Sequence, residues 1–366
     1  MESIVRDALT KAERDQPAGQ AVASHGFGAD DAELEKILAG LRTNIKILGV
    51  GGGGCNTIDR LMDSGIVGAD LFACNTDAQH LLIVRSPHKI LLGRRATKGL
   101  GAGALPQVGE EAAREAEEEL KTALKGADMV FVTCGLGGGT GTGGAPVIAQ
   151  LAKEAGALTI AICTYPFHSE GAIRSENAEY GLDRLRQFAD TSIIIPNDKL
   201  LQLVPRLALN AAFKVADDVL MRAIKGITEI ITKPGLVNLD FNDIRTIMKG
   251  GGVAMIGLGE GEDDSRAEDA VEEAINSPLV DVDVSGATGA LINVTGGADM
   301  TVSEAEKAAE LVQARISSNA RIIWGAAVDQ TLQGKMRVML IITGVQSKQI
   351  VGRGGPRTAA GVDVVH

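Results

Sequence analysis

The chain is poor in aromatic residues, with one Trp, two Tyr and seven Phe among 366 residues. Its core must therefore be built from aliphatic side chains, and these are abundant, since 45% of the residues are hydrophobic. Cysteine is scarce as well. Cys55, Cys74, Cys134 and Cys163 form no Cys-x-x-Cys pair, which argues against a zinc site and for free thiols in a reducing compartment. No apolar run approaches the ~18 residues of a membrane span. Met1 to Gln20 is polar and charged, unlike a signal peptide. The expectation is a cytoplasmic protein with no direct membrane insertion. Positive charge is in deficit, 36 Lys and Arg against 47 Asp and Glu, for a formal net charge of −11. That balance disfavours a nucleic-acid partner held through its phosphates.

Glycine, in contrast, is plentiful, and its placement is informative. Gly137 to Gly143 reads Gly-Gly-Gly-Thr-Gly-Thr-Gly, after the apolar run Met129-Val130-Phe131-Val132 and before Pro146-Val147-Ile148-Ala149. The order is strand, glycine loop, helix. Consecutive backbone N–H groups without side chains, opening onto a helix N-terminus, suit the phosphates of a nucleotide. The loop has no lysine, which excludes a Walker P-loop. Phosphate charge would be met by amides, hydroxyls, a helix dipole and a metal ion. A flexible linker fits poorly, because linkers do not sit between a buried strand and a helix.

At 366 residues, two domains plus tails is the prior. Residues 1–43 read as an extension, with Leu34, Ile37, Leu38 and Leu41 on one face of a short acidic helix. From Asn44, strands at Ile45–Val50, Asp70–Asn75, the Met129 run, Leu158–Tyr165 and Ser192–Pro196 alternate with helices. One of these helices covers Gly109 to Lys125, and another presents Ile58, Leu61, Met62 and Gly65. Such alternation predicts a parallel α/β sheet over 44–208, with its ligand at the carboxyl ends of the strands. Leu209 to Thr232 reads as one long helix with Ala212, Ala216, Leu220, Ala223, Ile227 and Ile231 in an apolar stripe. Pro234-Gly235 ends it. Residues 235–346 read as a smaller α+β domain with strands at Val253–Gly257, Gly289–Thr295, Ala320–Val328 and Lys335–Thr343, and a capping box at Ser303 and Glu306. The tail, 347–366, reads as disordered.

Gly49-Val50-Gly51-Gly52-Gly53-Gly54 satisfies G-x-G-x-x-G after a strand, with Asp77 beyond the second strand, so an NAD-dependent enzyme is one reading. A second phosphate-type loop at 137–143 has no use in it. A third glycine segment, Gly99-Leu100-Gly101-Ala102-Gly103, lets three loops wrap one triphosphate instead.

The combination resembles the FtsZ family, the tubulin-like GTPases of prokaryotic cell division, over about residues 44–346. Gly137–Gly143 matches the family signature, Gly51–Asn56 its first glycine loop, Asn75-Thr76-Asp77 its second, and Gly99–Gly103 the loop beside the γ-phosphate. The resemblance implies a Rossmann-like GTPase domain joined by a central helix, 209–234, to a smaller α+β domain, with GTP/GDP and Mg²⁺ as cofactors. It implies nucleotide contacts at Gly52, Gly53, Gly54, Cys55, Asn56, Ala102, Gly103, Gly138, Gly139, Thr140, Gly141 and Thr142. Glu170 and Arg174 resemble the ribose and nucleotide contacts, although spacing alone favours a surface ion pair. Asp217 resembles the guanine reader, with Phe213 one turn earlier placed to stack on the base. Core packing and a solvated helix face fit those two residues as well. Asn56 would touch guanine or cap a helix.

Asn238, Asp240 and Asp243 match the family's catalytic loop, in which the two acids polarise the water attacking the γ-phosphate of the next subunit. An N-cap with acids in the first turn describes the same pair. No protein ligand for the metal follows from the resemblance. It further implies a head-to-tail homopolymer at a mid-cell division ring and a membrane-anchoring adaptor. A tubulin-like scaffold for cell shape with weak hydrolysis is the remaining alternative. Ile323-Trp324-Gly325-Ala326, Ile342–Ser347, the long leader and the lack of the bacterial C-terminal peptide look archaeal.

Overall fold

The computed structural model describes residues 43–203, 209–232, 236–237, 239–277, 279, 287–316 and 320–345, which belong to one compact unit. The first part of the chain forms β1 (Ile45–Val50), α1 (Gly51–Asp63), β2 (Ala69–Asn75), α2 (Ala78–Ile83), β3 (His88–Leu91), α3 (Pro106–Glu115) and α4 (Glu117–Leu124). There follow β4 (Met129–Gly135), α5 (Gly139–Glu154), β5 (Leu158–Tyr165), α6 (Ala172–Phe188), β6 (Thr191–Pro196), α7 (Asn197–Leu203) and α8 (Leu209–Thr232). The rest forms α9 (Phe241–Met248), β7 (Gly252–Glu262), α10 (Arg266–Ile275), β8 (Gly289–Gly296), α11 (Val302–Arg315), β9 (Arg321–Val328) and β10 (Lys335–Thr343). The expected leader helix, the tail, the Pro234-Gly235 stop and Asn238 lie outside the described residues.

The ten strands among the described residues share one sheet, ordered β3-β2-β1-β4-β5-β6-β7-β10-β8-β9. The run from β3 to β6 is parallel. Because β1 is flanked by β2 and β4, the strand order reverses there, and the crevice between β1 and β4 is where such sheets bind ligands. Alternation sorts the core. Ile45, Ile47, Met129 and Phe131 face α1, α8 and α9, while Val50, Val130 and Val132 face α3 to α6.

The helix α8 spans the residues its stripe predicts, and Ala212, Ala216, Leu220, Ala223 and Ile227 are buried. Ile224 and Ile227 belong to one cluster with Ile162 of β5 and with Leu291 and Ile341 of β8 and β10. The two parts of the chain thus share a core under this helix. They also share the sheet, since Thr191, Ser192 and Ile193 of β6 pair in parallel with Gly252, Val253 and Ala254 of β7.

Four local expectations change. The helix expected over Gly109–Lys125 starts at Pro106 and breaks at Ala116 (φ −92°, ψ 13°). Three acids, Glu117, Glu118 and Glu119, fill the first turn of α4, where the helix dipole favours negative charge. Strand β7 runs five residues beyond Gly257 because its glycines accept a helix at close range. A Cβ on Gly259 would lie 2.0 Å from Ala270 O, and one on Gly261 would lie 2.1 Å from Arg266 O. The capping box is Thr301 with Glu304, two residues earlier than Ser303 with Glu306. The turn after β8, closed by Met300 N–H to Gly297 O at 3.0 Å, sets that start. Met62 is exposed, and Gly65, at φ +64°, lies beyond the end of α1.

Candidate functional site

Helices α1 and α5 begin where β1 and β4 end, on either side of the switch point. Neither has a side-chain cap bond at its N-terminus or an acid in its first turn. Asp77 caps α2, Asp240 caps α9 and Thr301 caps α11, whereas α3, α4, α6 and α10, like α1 and α5, have no side-chain cap. Two uncapped N-termini at one crevice leave backbone N–H groups free for an anion. A Cβ on Gly51 (φ +72°) would lie 2.9 Å from Gly141 N, so the two loops touch through glycine alone. Cβ atoms on Gly52 and Gly138 would meet nothing within 4 Å, so both face open space.

That space is a pocket of about 410 Å³, lined in part by Gly52, Gly53, Gly103, Gly138, Gly139, Thr140 and Gly141. The loop before α3 closes one side. Gly139 N–H donates to Gly103 O at 2.8 Å, and Asn177 Nδ2 donates to both Ala104 O (2.9 Å) and Gly137 O (3.2 Å). The hydroxyls of Thr76 and Thr140 meet at 2.6 Å, which ties the Asn75-Thr76-Asp77 segment to the signature loop.

Asn56, Glu170, Arg174, Phe213 and Asp217 also line the pocket. Glu170 is anchored: its carboxylate accepts from Phe167 N–H at 2.8 Å and from Arg174 Nη1 at 2.6 Å. The ion pair considered from spacing alone therefore exists, and it forms part of the wall. Phe213 exposes its ring and is held edge-on to the buried Phe167, centroids 5.1 Å apart. Asp217 is held back from water, and burial pushes its carboxyl up to about 6, against Arg60 at 3.6 Å, which pulls it down. Such a group gains most from a ligand that supplies donors. Asn56 sits inside α1, not at its cap.

Four expected contacts stand back from the pocket. Gly54 packs on β4, where a Cβ would lie 2.4 Å from Thr133 O. Cys55 is fully buried, which pushes its thiol up to about 12. Ala102 is buried beside the rim, and Thr142 Oγ1 accepts from Gly137 N–H at 2.9 Å, bracing the loop from inside. Asp77, which an NAD reading would place on a ribose, instead caps α2 through Gln79 N–H and His80 N–H.

Sequence reasoning missed Asn197, Arg60 and Phe167. Asn197 is 3% exposed, lines the pocket, and its Oδ1 is buried without a hydrogen-bond partner among the described residues. Its signal was its position, directly after the carboxyl end of β6.

The two acids expected to be catalytic, Asp240 and Asp243, lie elsewhere. Helix α8 carries Phe213 and Asp217 near its start, and its 24 residues span about 36 Å. At its far end Thr232 Oγ1 donates to Val67 O, just ahead of β2 and so at the amino edge of the parallel sheet. Asp240, exposed, caps α9 by accepting from Asn242 N–H at 3.1 Å, and Asp243 is exposed one turn on. The carbonyl of Met248, at the end of α9, accepts from Thr191 Oγ1 at the amino end of β6. The pocket and the acids occupy opposite poles.

Comparison with known proteins accords with this geometry. Residues 44–205 match the model of the Tubulin/FtsZ family, GTPase domain, and residues 252–346 that of the FtsZ family, C-terminal domain. Cell division protein FtsZ 1 of Archaeoglobus fulgidus is 58% identical over 97% of this chain and 96% of that protein. Cell division protein FtsZ of Haloferax mediterranei is 56% identical over 97% and 96%. The solved FtsZ dimer of M. jannaschii, empty, superposes with a TM-score of 0.84 at 52% identity, covering 88% of this chain and 94% of that one. The pocket at the switch point, the acids at the opposite pole and these matches along the chain place it in the FtsZ family.

Proposed function

We propose that this protein polymerises head to tail in a cell-division ring and cleaves GTP only where two copies meet. As a member of this family it is a tubulin-like GTPase of cell division that binds GTP and GDP. The observation that carries the shared site is the separation of its halves. One chain holds the glycine loops at the carboxyl edge of its sheet and Asp240 and Asp243 at the amino edge. A second copy stacked end on end would bring the acids of one to the pocket of the other. Such a contact repeats without closing and makes a filament. Exposed apolar residues favour contact at both poles: Leu100 and Leu105 flank the Gly103 loop, and Leu236 precedes the acids.

In this reading Asp217 accepts from the N1–H and exocyclic amine of guanine, with the Phe213 ring against the base. Glu170 and Arg174 hold the ribose side, and the N-termini of α1 and α5 hold the phosphates. Asn197 supplies a further acceptor to the nucleotide. Asp240 and Asp243, with Asn238, orient and polarise the attacking water. Phosphoryl transfer asks mainly for such positioning and charge stabilisation.

Among the described residues lining the pocket, Arg174 is the one cation, so a triphosphate there leaves charge for Mg²⁺ to neutralise. Among the described residues no three His, Cys, Asp or Glu converge to cage a metal. Phosphate oxygens and water would hold the Mg²⁺, as is common for this ion. Among the same residues no helix is long and apolar enough to cross a membrane, and we assign attachment of the mid-cell ring to a separate adaptor.

The test is GTP hydrolysis per molecule against protein concentration, with Mg²⁺ and light scattering followed together. Activity that is absent below a threshold and rises with scattering is the expected result. Activity per molecule that is constant from the lowest dilution would remove the shared site. Scattering without hydrolysis would favour a GTP-binding scaffold.

A further inference from the structure

Asn56 faces the pocket with an amide whose two ends carry opposite chemistry, and a chain of hydrogen bonds decides which end is presented. The chain starts at Asn75, buried at the end of β2. Its Oδ1 accepts from Thr76 N–H at 2.9 Å and Asp77 N–H at 3.3 Å. Backbone N–H groups only donate, so this end of Asn75 is the oxygen and the other is the NH₂. That NH₂ lies 3.0 Å from His80 Nδ1, which must accept. A neutral imidazole that accepts at one nitrogen carries its proton on the other. His80 Nε2 therefore donates, and 3.2 Å away it meets Asn56 Oδ1. With its oxygen engaged by His80, Asn56 has its NH₂ left for the ligand. The main chain that carries the ring is anchored too, because the backbone N–H of His80 donates to Asp77 Oδ1 at 3.0 Å.

We infer that His80 is a positioning residue for base selection: the Asn75–His80–Asn56 relay holds Asn56 with its NH₂ toward the base and so selects a purine bearing an acceptor at C6. The inference deepens the guanine reading above and rests on it. Guanine offers a carbonyl at C6 where adenine offers an amine, so a fixed donor at Asn56 rejects adenine. Asp217, an acceptor, reads the opposite edge pattern. The pocket then discriminates with one donor and one acceptor, and only the donor depends on His80.

The experiment is competition binding of GTP and ATP against a fluorescent GTP analogue on the full-length protein, for the wild type and the variants His80→Ala, His80→Gln, Asn56→Ala and Asp217→Ala. Expected is a fall of about tenfold in the GTP:ATP affinity ratio for His80→Ala, the size of one hydrogen bond's worth of discrimination. His80→Gln, whose amide can both accept and donate, recovers most of the ratio. An equal loss for both nucleotides in His80→Ala, or no recovery with Gln, would mean that the ring only packs and would overturn the inference. An unchanged ratio in His80→Ala beside a lost one in Asn56→Ala would overturn the relay and leave the guanine reading intact. An unchanged ratio in both Asn56→Ala and Asp217→Ala would remove the guanine reading and the inference together.

Discussion

The carboxylate of Asp217 meets the guanidinium of Arg60 at 3.6 Å, yet burial still raises its pKa from 3.8 to about 6. The folded protein thus holds a proton there more tightly than the unfolded chain does. Stability from this group is present below about pH 4 and is lost as pH rises through 6. Asp217→Asn should remove that loss and raise the stability of the nucleotide-free protein at pH 7 by roughly 1–3 kcal/mol, discounted for partial exposure. The same change should weaken GTP binding severely. Thermal melts from pH 4 to 8, with and without GTP, check both. Equal or lower stability of the variant at pH 7 would contradict the account.

In the proposed mechanism Asp240 has two separable duties, because Asn caps helices about as well as Asp. Asp240→Asn should keep stability within about 0.5 kcal/mol and abolish hydrolysis. Asp240→Ala should abolish hydrolysis and cost about 1 kcal/mol of stability as well. Urea melts beside turnover assays separate the charge from the cap. GTP affinity should be unchanged in both, since neither atom set borders the pocket of its own chain.

The signature glycines divide in the same way. A Cβ on Gly143 would lie 1.9 Å from Pro106 O, whereas one on Gly138 would meet nothing within 4 Å. Gly143→Ala should force α3 from α5 and cost at least about 2 kcal/mol. Gly138→Ala should leave the melting curve nearly unchanged while lowering GTP affinity by about tenfold or more. Melts and titrations on the two variants should therefore give opposite patterns.

Asn177 joins Ala104 O and Gly137 O, one from each of two loops. Asn177→Ala should cost about 1 kcal/mol of stability and speed hydrogen exchange over residues 101–105. Its kcat should fall more than its affinity for GTP, because the loop remains but is less ordered. Exchange that is unchanged in this loop would show that the bridge is incidental.

Much of this was legible in the sequence because the signals were local. Apolar runs such as Ile193–Ile195 mark buried parallel strands, and the stripe from Ala212 to Ile227 marks one face of α8. The glycine loops were legible from their own residues between strand and helix, and Asp217 was found through its resemblance to a family. What stayed hidden depends on partners distant in sequence. Gly257-Leu258-Gly259-Glu260-Gly261 looks like a loop until α10 lies against it. Asn197 looks like a turn residue until its unpaired oxygen is seen in the pocket. Thr301 and Ser303 each start a Thr/Ser-x-x-Glu pattern, and only the turn after β8 chooses between them. The roles of Thr142 and Gly54 inverted for the same reason: their motif is nucleotide-binding, but their own side chain and hydrogen atoms face inward.

The separation of pocket and acids along α8 gives a stack of these chains two unlike ends. If the site is shared as proposed, a stack holds one pocket per copy but one fewer completed site, because the outermost pocket has no neighbour to supply Asp240 and Asp243. The nucleotide at that end would then outlive the rest by geometry alone. Breaking such a filament in the middle would create one more long-lived terminus, so the share of intact triphosphate in a population would report how finely it is divided.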